Sequence, residues 1–215
     1  MNELLFLIQA LLVVGFAFGA LKLGKGALAA WVAVQALIAN LFVLKQITLF
    51  GFDVTASDAF AIGSLLGLNF LQEYFGQDEA RKATLICFFF MLFFALASQL
   101  HLLFEPSIHD TTQPAFIAIL SQSPRLLIAS MSVFFLVQQI DIRFFAYLKK
   151  KLPLASFALR SAITLILSQF LDTFLFSFAG LYGIVASVMD IIIISFAVKL
   201  AVIFCFTPLV KWAKL

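Results

Sequence analysis

Ten polar or charged residues lie inside long apolar runs of this sequence, where such side chains are costly. They are Asn40, Asp58, Asn69, Glu73, Arg125, Gln138, Gln169, Asp172, Asp190 and Lys199. A charged side chain at the centre of a membrane helix costs ~2.5–3.5 kcal/mol on insertion scales. We therefore expect these residues to face the interior of a helix bundle, where carboxylates and amides pair with one another or bind a polar ligand.

The spacing of these residues places several of them on shared helix faces. Glu73 follows Asn69 by four positions, and Asp141 follows Gln138 by three. Residues at these separations are neighbours on a helix surface. A further polar stripe at helical spacing consists of Ser161, Thr164 or Leu165, Ser168, Gln169 and Asp172.

Two interpretations of this pattern remain open. In the first, Lys199 or Arg125 neutralises Asp172 or Glu73 in a buried structural ion pair. In the second, the third, fifth, sixth and seventh apolar segments contribute polar side chains to one cavity. Polar residues on several segments favour the cavity over a single isolated pair.

The composition indicates what must position these residues. The chain has 215 residues, of which 64% are hydrophobic and only 12% are charged, and its mean hydropathy is +1.12. A soluble domain of this size needs a polar surface that this sequence lacks. Apolar runs of ~20 residues, long enough to cross a bilayer as a helix, recur along the chain. The sequence therefore predicts an all-α, polytopic transmembrane helical bundle.

We expect seven spans and a short outer helix. The spans are predicted at roughly 3–21, 27–46, 55–75, 83–104, 123–146, 158–179 and 184–209, and the short interfacial helix within 105–122. Lys22 and Lys25 follow the first apolar run instead of preceding it, which favours a retained span over a cleaved signal.

The basic residues predict the orientation of the bundle. With the N-terminus outside, the cytoplasmic connections carry Lys22, Lys25, Arg81, Lys82, Arg143, Lys149, Lys150, Lys151, Lys211 and Lys214. The outer connections carry one base, Lys45, against Asp53, Glu105 and Asp110. By the positive-inside rule the N-terminus lies outside and the C-terminus in the cytoplasm, as in a multi-pass protein of the inner (plasma) membrane.

Two glycine pairs have the spacing that lets membrane helices approach closely. Gly15 and Gly19 form one G-x-x-x-G pattern, and Gly63 and Gly67 form the other. We expect both pairs to lie at helix–helix contacts.

Other functional motifs are absent or incomplete. GALKLGKG resembles a phosphate-binding loop, but Gly26 replaces the Ser or Thr that would follow Lys25, and the run follows a membrane helix. His101 and His109 do not have the spacing of metal ligands. The basic run Lys149–Lys151 suits lipid headgroups better than nucleic acid. We expect no catalytic residues, cofactor, metal or nucleic-acid partner, and the sequence leaves a homodimer open.

Four stretches, in order, resemble the queuosine precursor transporters, also called vitamin uptake transporters. FLQEYFGQDEARKA resembles the end of one of their helices, and PRLLIASMSVFFLVQQIDI resembles the helix that follows it. SQFLDTFLFSFAG resembles their Gln–x–x–Asp–Thr helix, and FAVKLAVIFCFTPLV resembles their last helix with its lysine. The resemblance covers residues 31–210. It implies a six-helix transporter core at 27–215 and an additional N-terminal span at 1–26.

This sequence departs from the family pattern in two polar positions. Asn69 stands where the family usually has an acid, and Ser195 stands where an acid often precedes the final lysine.

The resemblance implies import of a 7-deazaguanine: 7-cyano-7-deazaguanine, its aminomethyl form, or queuine. A carboxylate can accept hydrogen bonds from the N1–H and 2-amino groups of such a base, amides can bind O6, and aromatic rings can stack on the planar rings. We predict that one of Glu73 and Asp172 binds the base edge, while the other supports the base or its cation partner. The predicted site comprises Glu73, Asp172, Asn69, Gln138, Gln169, Lys199, Arg125, Asn40, Ser168 and Phe176.

The sequence leaves three classes of function open. The leading hypothesis is a carrier that imports the precursor by itself. The alternative is a substrate-capture subunit of an ATP-driven vitamin uptake system with a separate energising partner. The third hypothesis is a membrane-embedded enzyme. It is the least favoured, because the sequence shows no Ser–His or Cys–His constellation for nucleophilic catalysis.

Overall fold

The computed structural model describes residues 1–43, 45–121, 124–182 and 188–210, and its described side chains leave out 52–54, 124–127, 181, 190, 205, 206 and 208–210. These residues form eight α-helices and one β-hairpin. The helices are α1 (Asn2–Leu23), α2 (Lys25–Phe42), α3 (Asp58–Tyr74), α4 (Gln77–Leu102), α5 (Gln113–Leu120), α6 (Pro124–Lys151), α7 (Phe157–Phe176) and α8 (Val188–Val210). The strands are β1 (Gln46–Leu49) and β2 (Phe52–Thr55), and a π-helical turn, Ser177–Leu181, extends α7.

The chain is a polytopic helical membrane protein. Five helices have the length and apolar content of a span: Asn2–Leu23, Lys25–Phe42, Gln77–Leu102, Ile128–Lys151 and Phe157–Gly180. The predicted third span corresponds to α3, whose 17 residues lie at the short limit for crossing a bilayer. Within α8, the apolar stretch Ile191–Phe204 is shorter than these five helices. The count of seven spans and the orientation stay predictions, while α5 confirms the short helix expected within 105–122.

The predicted end of the second span was wrong, because the chain leaves the helix earlier to form the hairpin. Helix α2 ends at Phe42 instead of residue 46. The two strands pair antiparallel from Gln46↔Thr55 to Leu49↔Phe52. Phe50 (φ 51°) and Gly51 (φ 85°) both adopt the left-handed conformation that a two-residue hairpin turn requires.

The hairpin is attached to the start of α1. The Asn2 side-chain amide donates to the Thr48 carbonyl at 3.0 Å, and the Phe50 backbone N–H donates to the Glu3 carboxylate at 3.2 Å. About two turns further along α1, the Gln9 side-chain amide donates to the Ala56 carbonyl at 3.4 Å. We call this side of the bundle the hairpin end.

Basic residues lie at the opposite side, which we call the basic end. There Glu79 at the start of α4 pairs with Lys25 of α2 at 3.3 Å and with Lys82 at 3.2 Å. The same end carries the short connection between α6 and α7 and the Lys149–Lys151 run.

Helix α3 is the centre of the bundle. It packs against α1, α2, α4, α6, α7 and α8, and most of its residues between Asp58 and Gln72 are buried. It therefore positions polar side chains against every helix that carries a predicted site residue.

Only one of the two glycine pairs lies at a close helix contact. A Cβ atom at Gly63 would lie 2.5 Å from Val13 Cγ1 of α1 and 2.9 Å from Gln35 Oε1 of α2, and one at Gly67 would lie 3.0 Å from Trp31 and Val32. A Cβ atom at Gly15 or Gly19 would meet nothing within 4 Å. The prediction that Gly15 and Gly19 serve close packing was therefore wrong.

We expect Gly63→Ala to lower the thermal stability of the detergent-solubilised protein by several degrees. The added methyl group must displace Val13 or Gln35, and overpacking of this kind costs ~1–3 kcal/mol. The measurement is the melting temperature by intrinsic fluorescence. Gly19→Ala is the matched control and should change it little, so equal shifts for both variants would contradict the assigned contact.

Candidate functional site

A single buried ammonium group joins three helices near the hairpin end. Lys199 Nζ of α8 lies 2.9 Å from Asp172 Oδ2 and 3.0 Å from Thr173 Oγ1, both on α7. It lies 4.0 Å from Asp58 Oδ1, the first residue of α3. The Lys199 side chain is 7% exposed and that of Asp58 is 4% exposed. Because buried charges need opposite charges nearby, Lys199 and the two carboxylates stabilise one another.

The local sequence explains why Asp58 lies where it does. It opens α3, and a carboxylate in the first turn is favoured by the helix dipole. Thr55 Oγ1 donates to Asp58 Oδ1 at 3.3 Å and lies 2.9 Å from Ser57 Oγ. Asp58 Oδ2 is buried without a hydrogen-bond partner among the described residues.

These charges line a cavity of about 130 Å³. Its polar lining combines Asn40, Thr55, Ser57, Asp58, Ser130, Asp172, Thr173, Ser177, Ser195 and Lys199, and its aromatic lining is Phe134 and Phe176. The cavity is smaller than the ~300–1,000 Å³ typical of sites for drug-sized ligands. It therefore suits a small ligand with several polar edges and an apolar face.

Four predicted site residues meet in this cavity: Asn40, Asp172, Phe176 and Lys199. Asn40 Oδ1 accepts a hydrogen bond from Ser130 Oγ at 2.8 Å, which joins α2 to α6. The Asp172–Lys199 contact is an ion pair, and it also lies in a cavity wall, so features of both interpretations of the sequence are present. The predicted set did not include Asp58, which reaches Lys199 only through the packing of α3 on α8.

A second polar group lies deeper in the bundle, where α6 faces α3 and α7. Ser168 Oγ donates to Asp141 Oδ1 at 2.6 Å, and Gln138 Nε2 lies 3.5 Å from Ser64 Oγ. All four of these side chains are buried. We call this group the α6 cluster.

The polar contacts continue from the α6 cluster towards the basic end. Asn69 Nδ2 donates to Ser161 Oγ at 3.0 Å, and Gln72 Nε2 donates to the Ile142 carbonyl at 2.6 Å. Gln169 is also buried, and its Oε1 has no partner among the described residues. Asn69, Gln138, Ser168 and Gln169 from the predicted set thus lie in the bundle core, outside the residues that line the cavity.

Glu73 lies at the basic end in a different environment. Its Oε1 accepts from Arg160 Nη2 at 2.6 Å, and its Oε2 lies 3.1 Å from Lys149 Nζ. Arg160 Nη1 also donates to the Ala155 carbonyl at 2.6 Å. We call Glu73, Lys149 and Arg160 the basic-end ion cluster, which joins α3, α6 and α7.

The structure does not bring Glu73 and Asp172 together. Glu73 lies fifteen positions along α3 from Asp58, which corresponds to ~22 Å of helix. Glu73 is therefore distant from the cavity that Asp172 lines, and the roles predicted for the two carboxylates at one ligand stay a prediction. Arg160 was not among the predicted residues, and the side chain of the predicted Arg125 lies outside the described residues.

We expect Arg160→Gln to destabilise the protein far more than Lys149→Gln. The Arg160 side chain is 6% exposed whereas that of Lys149 is 43% exposed. Breaking a buried pair costs ~3–5 kcal/mol, while an exposed pair is worth ~0–1 kcal/mol. Thermal unfolding in detergent measures both variants, and similar melting temperatures for the two would refute the structural role of Arg160.

Comparison with known proteins agrees with the resemblance of the four motif stretches. Residues 56–213 match the family described as "Putative vitamin uptake transporter". A relative from Bacillus subtilis (strain 168), named "Probable queuosine precursor transporter", is 31% identical over 194 residues, which cover 89% of this chain and 85% of that protein. No solved structure matches the chain. The chain belongs to the vitamin uptake transporter family, whose members are membrane transporters and not enzymes.

Proposed function

We propose that this protein imports a 7-deazaguanine precursor of queuosine across the inner membrane. The observation that carries the proposal is the cavity of about 130 Å³ in which Asp58, Asp172 and Lys199 meet the rings of Phe134 and Phe176. The name of the Bacillus subtilis relative supports the class of substrate. A planar base with hydrogen-bonding edges matches a cavity with that mixture of carboxylate and aromatic groups.

Asp172 is the carboxylate best placed to bind the edge of the base. Its side chain is 24% exposed, and only Oδ2 is occupied by Lys199. Its second oxygen can accept from the N1–H or 2-amino group, which are donors on neighbouring positions of the base. The hydrogen bond from Lys199 holds the carboxylate in place.

The charges of the cavity favour a ligand that carries an amine. Two carboxylates, Asp58 and Asp172, share one ammonium group, Lys199. The aminomethyl precursor and queuine carry alkyl amines, which are protonated at neutral pH, whereas the cyano precursor is neutral. A protonated amine offsets the second carboxylate, so we place the aminomethyl form ahead of the cyano form.

Import requires the cavity to open to each side in turn. The cavity lies at the hairpin end, which the positive-inside rule assigns to the outside. The basic-end ion cluster joins α3, α6 and α7 at the other end. Transport would then proceed by movement of these helices around the bound base, which breaks and re-forms that cluster.

The test is uptake of labelled aminomethyl, cyano and queuine compounds in bacteria that lack their own importer. We expect uptake of the aminomethyl form to exceed that of the cyano form. Asp172→Asn should lower uptake ~10–100-fold, because a hydrogen bond to a charged group is worth ~1.5–3 kcal/mol. Asp78→Asn is the matched control, because Asp78 is 86% exposed on α4.

Two results would argue against this function. Wild-type protein that is present in the membrane but transports none of the three compounds would favour the capture subunit or another substrate. Equal losses in Asp172→Asn and Asp78→Asn would disconnect the cavity from transport.

A further inference from the structure

Asp141 of the α6 cluster is a buried carboxyl group that pairs with no opposite charge among the described side chains. Its residue exposure is 0%, and it lies close to the middle of the apolar helix Ile128–Lys151. Oδ1 accepts the hydrogen bond from Ser168, and Oδ2 is buried with no partner among the described residues. Asp141 is a carboxyl group separate from Asp58 and Asp172, and no step proposed so far uses it.

The charged groups on the surrounding helices are engaged elsewhere. On α3 and α7, Glu73 pairs with Arg160 at the basic end. Asp58 and Asp172 share Lys199 of α8 at the hairpin end. On α6 itself, Lys149 pairs with Glu73 and Arg143 is exposed. The titratable group of α4 in this region is the Cys87 thiol. Its Sγ lies 3.9 Å from the Val32 carbonyl, and the same carbonyl accepts a hydrogen bond from Ser64 Oγ.

What the α6 cluster lacks is a hydrogen-bond donor. Gln138 lies three positions before Asp141, so their side chains are neighbours on α6, and Gln138 Oε1 is buried without a partner among the described residues. Gln169 Oε1, next in sequence to Ser168, is in the same situation. A carboxylate left charged and unpaired in such surroundings is so costly that it takes up a proton instead. A proton on Asp141 removes that charge and supplies the missing donor.

We propose that Asp141 is a proton-binding site, occupied in this state of the protein. The role of this proton in transport rests on the proposed function. Release of the proton from Asp141 when the bundle opens to the cytoplasm would couple import of the precursor to proton entry. Asp141 lies between the substrate cavity and the basic-end ion cluster. A helix rearrangement that opens the basic end would therefore bring water to it.

The first experiment needs no substrate. Infrared spectra of the reconstituted wild-type protein at neutral pH should contain the C=O band of a protonated carboxyl group, and Asp141→Asn should remove it. Asp172→Asn is the matched control and should leave this band in place, because Asp172 lies in the cavity wall, outside the α6 cluster. Ser168→Ala, which deletes the hydrogen bond to Oδ1, should shift the band. It serves as the second variant if Asp141→Asn folds poorly.

The second experiment measures coupling in proteoliposomes with the aminomethyl precursor. An acidic exterior should increase accumulation by wild-type protein at least several-fold over equal pH on both sides, and Asp141→Asn should lose that increase. A spectrum without a band assigned to Asp141 would overturn the proposal, whether or not the protein transports. If the Asp141 band is present but uptake is the same with and without a pH difference across the membrane, the coupling role would be overturned. Failure of wild type to transport any deazaguanine would count against the proposed function alone, because the spectra still decide the protonation of Asp141.

Discussion

The position of Lys199 depends on the cost of leaving a charge unpaired away from water. Its ammonium group is almost fully buried, and it is stable there because α7 and α3 each supply a carboxylate, at 2.9 and 4.0 Å. Removing the ammonium group would leave both carboxylates without an opposite charge. The contact therefore fixes the relative positions of α3, α7 and α8 and, with them, the walls of the cavity.

The same constraint organises the whole length of α3. From the hairpin end to the basic end, its polar side chains meet partners on α6, α7 and α8: Asp58 with Lys199, Ser64 with Gln138, Asn69 with Ser161, and Glu73 with Arg160. Small residues of α3 face the opposite side, where Gly63 and Gly67 let α1 and α2 approach. Helix α3 thus has one polar and one closely packed side, which is why nearly all of it is buried.

Helix positions and four cavity residues were within reach of the sequence, whereas the pairings were not. Apolar runs predict helices because hydrocarbon demands internally bonded backbone, and polar residues in those runs point inwards, as Asn40, Asp172 and Lys199 do. Arg160 escaped prediction because it lies in the first turn of α7, where a base also suits a connection at the membrane surface. The hairpin escaped because its ten residues, Gln46–Thr55, follow closely on the apolar run of α2, and Gly51 is the residue that could have indicated the turn.

The two ends of the bundle are closed by interactions of different strength, and this sets the order in which they can open. At the hairpin end a cavity already separates parts of α2, α6, α7 and α8, and Asp172 in its lining is partly exposed. At the basic end, Arg160 is held by Glu73 and by the carbonyls of Leu152 and Ala155, so separating α3 from α7 requires rehydration of a buried guanidinium. Rehydration there also exposes the polar core along α3 and α7. In the proposed transport cycle, a cationic ligand that offsets the excess negative charge of Asp58 and Asp172 would favour the state that opens at the basic end, because a ligand shifts the equilibrium towards the state that it binds better.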